Sequence, residues 1–151
     1  MKQLIVFSVA LLAAAPLLAQ FTSDIEAAKV LLAKESQYFY QRNFDAWANC
    51  YVQDERVRWS CIEKGDVVLE AYGWDKLGPF VGDYLKANPE PIPVQLRREN
   101  FQFQPYGEAL WVTFDEYQTL DGQTKALRGV RILEKAKGQW KIIYMNSYPM
   151  P

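Results

Sequence analysis

The chain contains no histidine and only two cysteines in 151 residues. Without imidazole there is no histidine-bound metal, and any serine nucleophile lacks its usual partner base. Cys50 and Cys61 do not form a Cys-x-x-Cys pair and make a poor zinc site, because zinc relies on clustered cysteine and histidine ligands. No Gly-x-Ser-x-Gly motif or phosphate-binding loop occurs, and Gly73 and Gly78 lack the spacing of a nucleotide fold, so no cofactor is implied. Basic residues never form a block: Arg97-Arg98 is only a pair and Glu99 follows it, so neither nucleic acid nor an anionic membrane is an expected partner.

No apolar run reaches the roughly 20 residues of a spanning helix. The longest, Leu4 to Leu18, follows a single lysine, Lys2, contains Pro16 and ends in Leu17-Leu18-Ala19-Gln20. This is the pattern of a secretory signal peptide cleaved after Ala19, and it is preferred to a short membrane anchor. The expected arrangement is therefore a signal peptide over residues 1–19 and one secreted or periplasmic domain over 20–151, with no membrane span after cleavage. Loss of Lys2 turns the 17 basic residues into 16 against 18 acidic ones, a net charge of −2. In an oxidising compartment a Cys50–Cys61 disulfide is allowed, although spacing cannot show that the two approach closely enough; otherwise both are small buried hydrophobes.

What is present in quantity is strand-forming sequence. From Glu108 to Met150, three consecutive strands are written around two tight turns. Leu110 to Leu120 is rich in β-branched and aromatic residues and runs into Asp121-Gly122, while Val130 to Glu134 and Trp140 to Met145 flank Lys137-Gly138. Upstream, Ser23-Asp24-Ile25-Glu26 forms a capping box that predicts a helix starting there and ending near Arg42-Asn43, with Ile25, Ala28, Leu32, Glu35 and Phe39 on one stripe. A short second helix is predicted over 44–51 with Trp47, Cys50 and Tyr51 on one side. Two strands follow, Val57 to Ile62 and Val67 to Tyr72, turning at Lys64-Gly65-Asp66. A third helix opens at Trp74 with an interruption at Gly78-Pro79, and the proline-rich Asn88 to Pro93 leads into a strand over 95–104. Helices gathered before a mainly antiparallel sheet make an α+β layering, and a curved sheet wrapped over three helices leaves a cone-shaped interior.

Several stretches carry a resemblance. Asp24 to Ala28, Asn43-Phe44-Asp45-Ala46-Trp47, Gly73-Trp74, Arg131 to Glu134 and Gly138-Gln139-Trp140-Lys141-Ile142 resemble the nuclear-transport-factor-2-like superfamily, and within it the SnoaL-like and other small secreted bacterial members. The resemblance spans the mature chain. It implies a cystatin-like roll, a homodimer joined through the outer face of the sheet, and a last strand that lines the cavity. The fold hosts isomerases, dehydratases, cyclases and binding modules, so it does not imply one activity. The aspartate–histidine dyad associated with its dehydratase and cyclase members cannot exist here.

Against that background, the candidate site residues are polar groups on apolar faces. Glu35 sits on the first helix's apolar stripe, where a carboxylate is a functional group, one half of an ion pair, or turned to water. Arg131 is its candidate partner, although Val130 and Ile132 facing the helices would turn Arg131 outward. Asp115-Glu116 interrupt an apolar strand, so one of them faces the concave side; with a tyrosine this would suit the histidine-free base chemistry of ketosteroid isomerase, whereas an exposed strand end is the more ordinary reading. Tyr144, Asn146 and Tyr148 share parity with Trp140 and Ile142 and would give the cavity a polar wall, to which Trp59 and Tyr72 add aromatic surface. The expected function is binding of a small apolar or amphipathic ligand in the cone. The rivals are proton-transfer enzymology with Glu35, Asp115 or Glu116 as base and Tyr144 or Tyr148 as donor, and a protein-interaction module using the outer sheet face.

Overall fold

A computed structural model describes residues 5–63 and 67–150; the turn expected at Lys64-Gly65-Asp66 lies outside the described residues. In chain order these are α1 (Ile5–Tyr40), α2 (Phe44–Ala48), β1 (Arg58–Glu63), β2 (Val67–Tyr72), α3 (Trp74–Ala87), β3 (Gln95–Tyr106), β4 (Ala109–Leu120), β5 (Gln123–Ala136) and β6 (Gln139–Pro149). The six strands form one unclosed sheet in the order β2-β1-β6-β5-β4-β3, antiparallel throughout except for the parallel pair β1–β6. This is the expected α+β roll, a curved sheet with helices over its concave face.

The tight turns form for the expected reason. Asp121-Gly122 and Lys137-Gly138 both adopt positive φ at each position, 50° and 76° then 51° and 78°, the geometry that two-residue hairpins need. Helix α1 departs from expectation at its start. Ser23 caps nothing, because the alanine- and leucine-rich run before it is a good helix former and no breaker separates the two. Its end follows sequence more closely: Arg42 takes φ 62°, its N–H bonds the Phe39 carbonyl, and the Asn43 N–H reaches back to Tyr38 at 2.9 Å. That is a Schellman ending, after which the Asn43 side chain accepts from the Ala46 N–H and caps α2.

Helix α3 is continuous, not broken at Pro79. Proline there removes only the bond to the Asp75 carbonyl, near the helix start, and the buried side formed by Leu77, Gly78, Val81, Gly82 and Leu85 holds the helix together by packing. Asp24 ties α1 to the far end of the sheet, accepting from Trp140 Nε1 at 3.2 Å and pairing with Lys135 at 2.8 Å. The core lies between, with Leu32, Trp47, Tyr51, Leu77, Phe114, Leu133 and Ile142 fully buried. Among the described residues no helix is long and apolar enough to cross a membrane.

Two β-bulges set which side chains face this core. In β3 the pairing with β4 slips between Glu99 and Gln102, around Asn100 at φ 55°. In β6 the register shifts opposite Ile132/Leu133, so that Leu133 pairs with Ile142 but Ile132 with Tyr144. The β6 bulge coincides with a change of neighbour, since Ile142 bonds the backbone of Cys50 and Val52 whereas Tyr144 to Ser147 pair with β1. Each bulge adds a residue to one strand, and every side chain beyond it changes face.

Candidate functional site

The concave face is read best as rows of side chains across the strands. One row runs Phe114, Gly129, Ser147, Cys61, Leu69; the next runs Val112, Arg131, Met145, Trp59, Ala71. With Glu35, Tyr40 and Phe80 from the helices, members of these rows line a cavity of about 420 Å³ between helices and sheet. Trp59, Phe80 and Phe39 supply much of its apolar wall.

Glu35 is buried and satisfied by neutral donors. Tyr51 OH donates to Oε1 at 2.7 Å, Trp47 Nε1 donates to the same oxygen at 3.1 Å, and Ser36 Oγ donates to Oε2 at 2.9 Å. Helices α1 and α2 thus meet on one carboxylate. Burial, followed by the Glu35 charge, pushes the Tyr51 phenol well above its ordinary range, and the same two causes push the Cys50 thiol up to about 11.

Glu116 faces inward on β4, opposite Arg98 on β3. Arg98 Nε donates to Glu116 Oε2 at 2.6 Å, its other nitrogens bond Ser36 Oγ at 2.5 Å and the Leu32 carbonyl at 2.7 Å, and Gln118 donates to Glu116 Oε1 at 2.6 Å. Burial works to raise the Glu116 carboxyl, but Arg98, Arg131 and the Gln118 amide outweigh it and hold the group below the usual carboxylate range. Burial, then Glu116 and Glu35, pushes the Tyr40 phenol far up, so that it stays protonated on the cavity wall, able to donate a hydrogen bond but not readily a proton.

Arg131 also points inward, corrected from the outward parity: Leu127, Gly129, Arg131 and Leu133 are the buried set of β5, and Val130 and Ile132 are not. It does not pair with Glu35. Nη1 donates to the Val130 carbonyl at 3.0 Å, the Asn146 carbonyl at 2.8 Å and Ser147 Oγ at 3.4 Å. Its guanidinium lies 5.3 Å from the Phe114 ring centre, with Arg98 at 4.9 Å. Phe114 reaches this position because Gly129 has no side chain; a Cβ there would meet the ring at 2.4 Å.

Of the sequence candidates, Glu35, Trp59, Glu116 and Arg131 come together on the cavity. Tyr72, Tyr144, Asn146 and Tyr148 do not. The β6 bulge turns Met145 and Ser147 inward in place of Tyr144, Asn146 and Tyr148, and Tyr72 lies on the other side of β2 from Leu69 and Ala71, with Arg58 over its ring. Asp115 faces outward too, but is not an exposed strand end: Asn100 donates to it at 2.7 Å and Arg128 pairs with it at 2.6 Å, and the Asn100 bond first, then Arg128, hold its carboxyl below the usual range against the pull of burial. Cys50 and Cys61 are not bonded to each other. Sequence reasoning missed Ser36, Arg98, Gln118, Met145 and Ser147. Only Ser36, beside Glu35 in the chain, carried a usable hint; the others depend on register.

No protein-family model matches the sequence, and no curated protein matches it. Solved structures match the shape over most of the chain. A protein of unknown function from Mycobacterium tuberculosis superposes with a TM-score of 0.68 at 15% identity, covering 88% of this chain and 75% of its own. A candidate dehydratase of the NTF2-like family from Streptomyces avermitilis gives 0.67 at 16% identity over 86% and 98% of the two chains. The protein has the nuclear-transport-factor-2-like fold. A CaMKII hub from S. rosetta shares this NTF2-like fold at a TM-score of 0.63 and 16% identity, over 83% of this chain and 95% of the hub. At such identities the NTF2-like likeness extends to architecture, not to chemistry.

Proposed function

We propose that this NTF2-like protein binds a small amphipathic molecule in the cavity, as an exported protein that has lost its first 19 residues and acts as a homodimer. The observation that carries the binding reading is the cavity itself, which sets an apolar wall beside fixed polar groups. Catalysis by a pocket carboxylate, the reading closest to the candidate dehydratases of the same fold, is less well supported. A general base needs an oxygen open to the substrate proton. Glu35 already accepts three hydrogen bonds and Glu116 is held as an anion by Arg98 and Gln118. The export reading rests on the apolar leader. The homodimer reading rests on a row of outward side chains, Trp111, Ile132, Tyr144, Arg58 and Tyr72, that crosses five strands.

Native mass spectrometry of protein purified from its own host tests binding and processing together. The expected result is a chain starting at Gln20 carrying one small molecule that is lost on denaturation. A bare chain that also shows no thermal shift with aromatic or alkyl amphiphiles would overturn the binding reading, and a retained Met1 would overturn export by cleavage.

A further inference from the structure

We propose that the ligand is an amphipathic carboxylate whose head group is received by Arg131; this rests on the binding reading above and names the class of ligand. Arg131 is 2% exposed, yet its Nε is buried without an acceptor. All three hydrogen bonds that its side chain makes among the described residues leave from Nη1. The edge formed by Nε and Nη2, the edge with the geometry to hold two carboxylate oxygens at once, is therefore the one not used by the protein. Among the described residues no carboxylate stands within ion-pair distance of it.

Arg98 provides the internal comparison. It lies on the same concave face, flanks the same Phe114 ring, and has its charge matched by Glu116 and its donors taken up by Ser36 and the Leu32 carbonyl. A buried guanidinium with no carboxylate in ion-pair contact is costly to keep unless a bound anion completes the contact. Arg131 is also held ready. The Val130, Asn146 and Ser147 acceptors fix one end, Phe114 lies alongside its guanidinium, and Gly129 makes room for that ring.

The surroundings narrow the class. Arg98 neutralises Glu116, which leaves Glu35 set against Arg131 and, at the exposed rim, Lys125. That balance leaves one net positive charge, which matches a single negative charge, whereas a phosphate dianion would leave an excess negative charge in the same space. Beyond the head group, Trp59, Phe80 and Met145 offer apolar surface to an aromatic or alkyl body.

Calorimetric titration of the purified protein at neutral pH with 2-naphthoate against 2-naphthamide, and octanoate against octanamide, tests the proposal. Each carboxylate is expected to bind at least about tenfold more tightly than its amide. Arg131→Met, checked for folding by circular dichroism, should erase that preference while still binding the amide. If Arg131→Met does not fold, Arg131→Lys replaces it, and the loss of the two-point fork should cut the preference severalfold. Equal affinity for acid and amide in the unaltered protein would overturn the carboxylate assignment while leaving ligand binding intact. A preference that survives in the Arg131 variant would overturn it by assigning the effect elsewhere, and no binding of any of the four probes would overturn both readings.

Discussion

Glu35 is a buried carboxylate whose neighbours are a phenol, an indole and a hydroxyl, all donors and none charged. Substituting Glu35→Gln keeps the shape but turns one acceptor oxygen into an NH₂ group facing donors. The expected cost is about 1–3 kcal/mol of stability, read by urea denaturation, because buried donors lose their partner. Unchanged stability would mean that Glu35 does not tie α1 to α2. Glu116 makes the complementary case, a carboxylate held below its usual range by cations and an amide despite burial. A group with a depressed folded-state value stabilises the fold fully above the unfolded carboxylate range, near pH 4.3, and that contribution is lost as pH falls through the folded value. Thermal melts taken downward from pH 6 should therefore fall steeply below about pH 4.3, and Glu116→Gln should make that fall shallower. An identical acid limb in the variant would contradict the role given to the Arg98–Glu116 pair.

The elements owe their function to two irregularities and one glycine. Without the slip around Asn100, Arg98 and Phe103 would sit on opposite faces of β3; with it, Arg98, Phe101 and Phe103 share one face, and all three are partly buried. The bulge in β6 has the same effect on Met145 and Ser147. Gly129 then allows the Phe114 ring to approach β5 closely, with Arg98 and Arg131 both near it. Gly129→Ala should destabilise by about 1–3 kcal/mol through overpacking. Calorimetry of Gly129→Ala combined with Phe114→Leu should recover part of that loss, since the smaller side chain removes the clash. Additive effects of the two substitutions would show that the ring and the glycine are not coupled.

At the scale of the whole molecule, the sheet separates two surfaces of different character. The concave side holds the cavity and its buried charges, while the convex side exposes Trp111 at 47% and Tyr148 at 38%. Aromatic surface of this kind on an open sheet suits association with a second copy. Sedimentation velocity is expected to report a dimer that Trp111→Glu converts to monomer without loss of fold. A monomeric unaltered protein at micromolar concentration would end the homodimer proposal.

Much of this architecture is legible in the chain because its causes are local. Asp121-Gly122 and Lys137-Gly138 specify hairpins by backbone preference, alternation marks the strands, and the apolar spacing of Ala28, Leu32 and Phe39 marks the buried side of α1. The absence of histidine, a matter of composition alone, decides which catalytic pairs and metal sites cannot exist. The cavity wall is decided only in three dimensions. A bulge leaves little trace in local sequence, yet it reverses the face of every later side chain, and so Tyr144, Asn146 and Tyr148 give way to Met145 and Ser147. The inward turn of Arg131, its separation from Glu35 and the pairing of Arg98 with Glu116 likewise follow from register and from the packing of distant strands, which no stretch of sequence contains by itself.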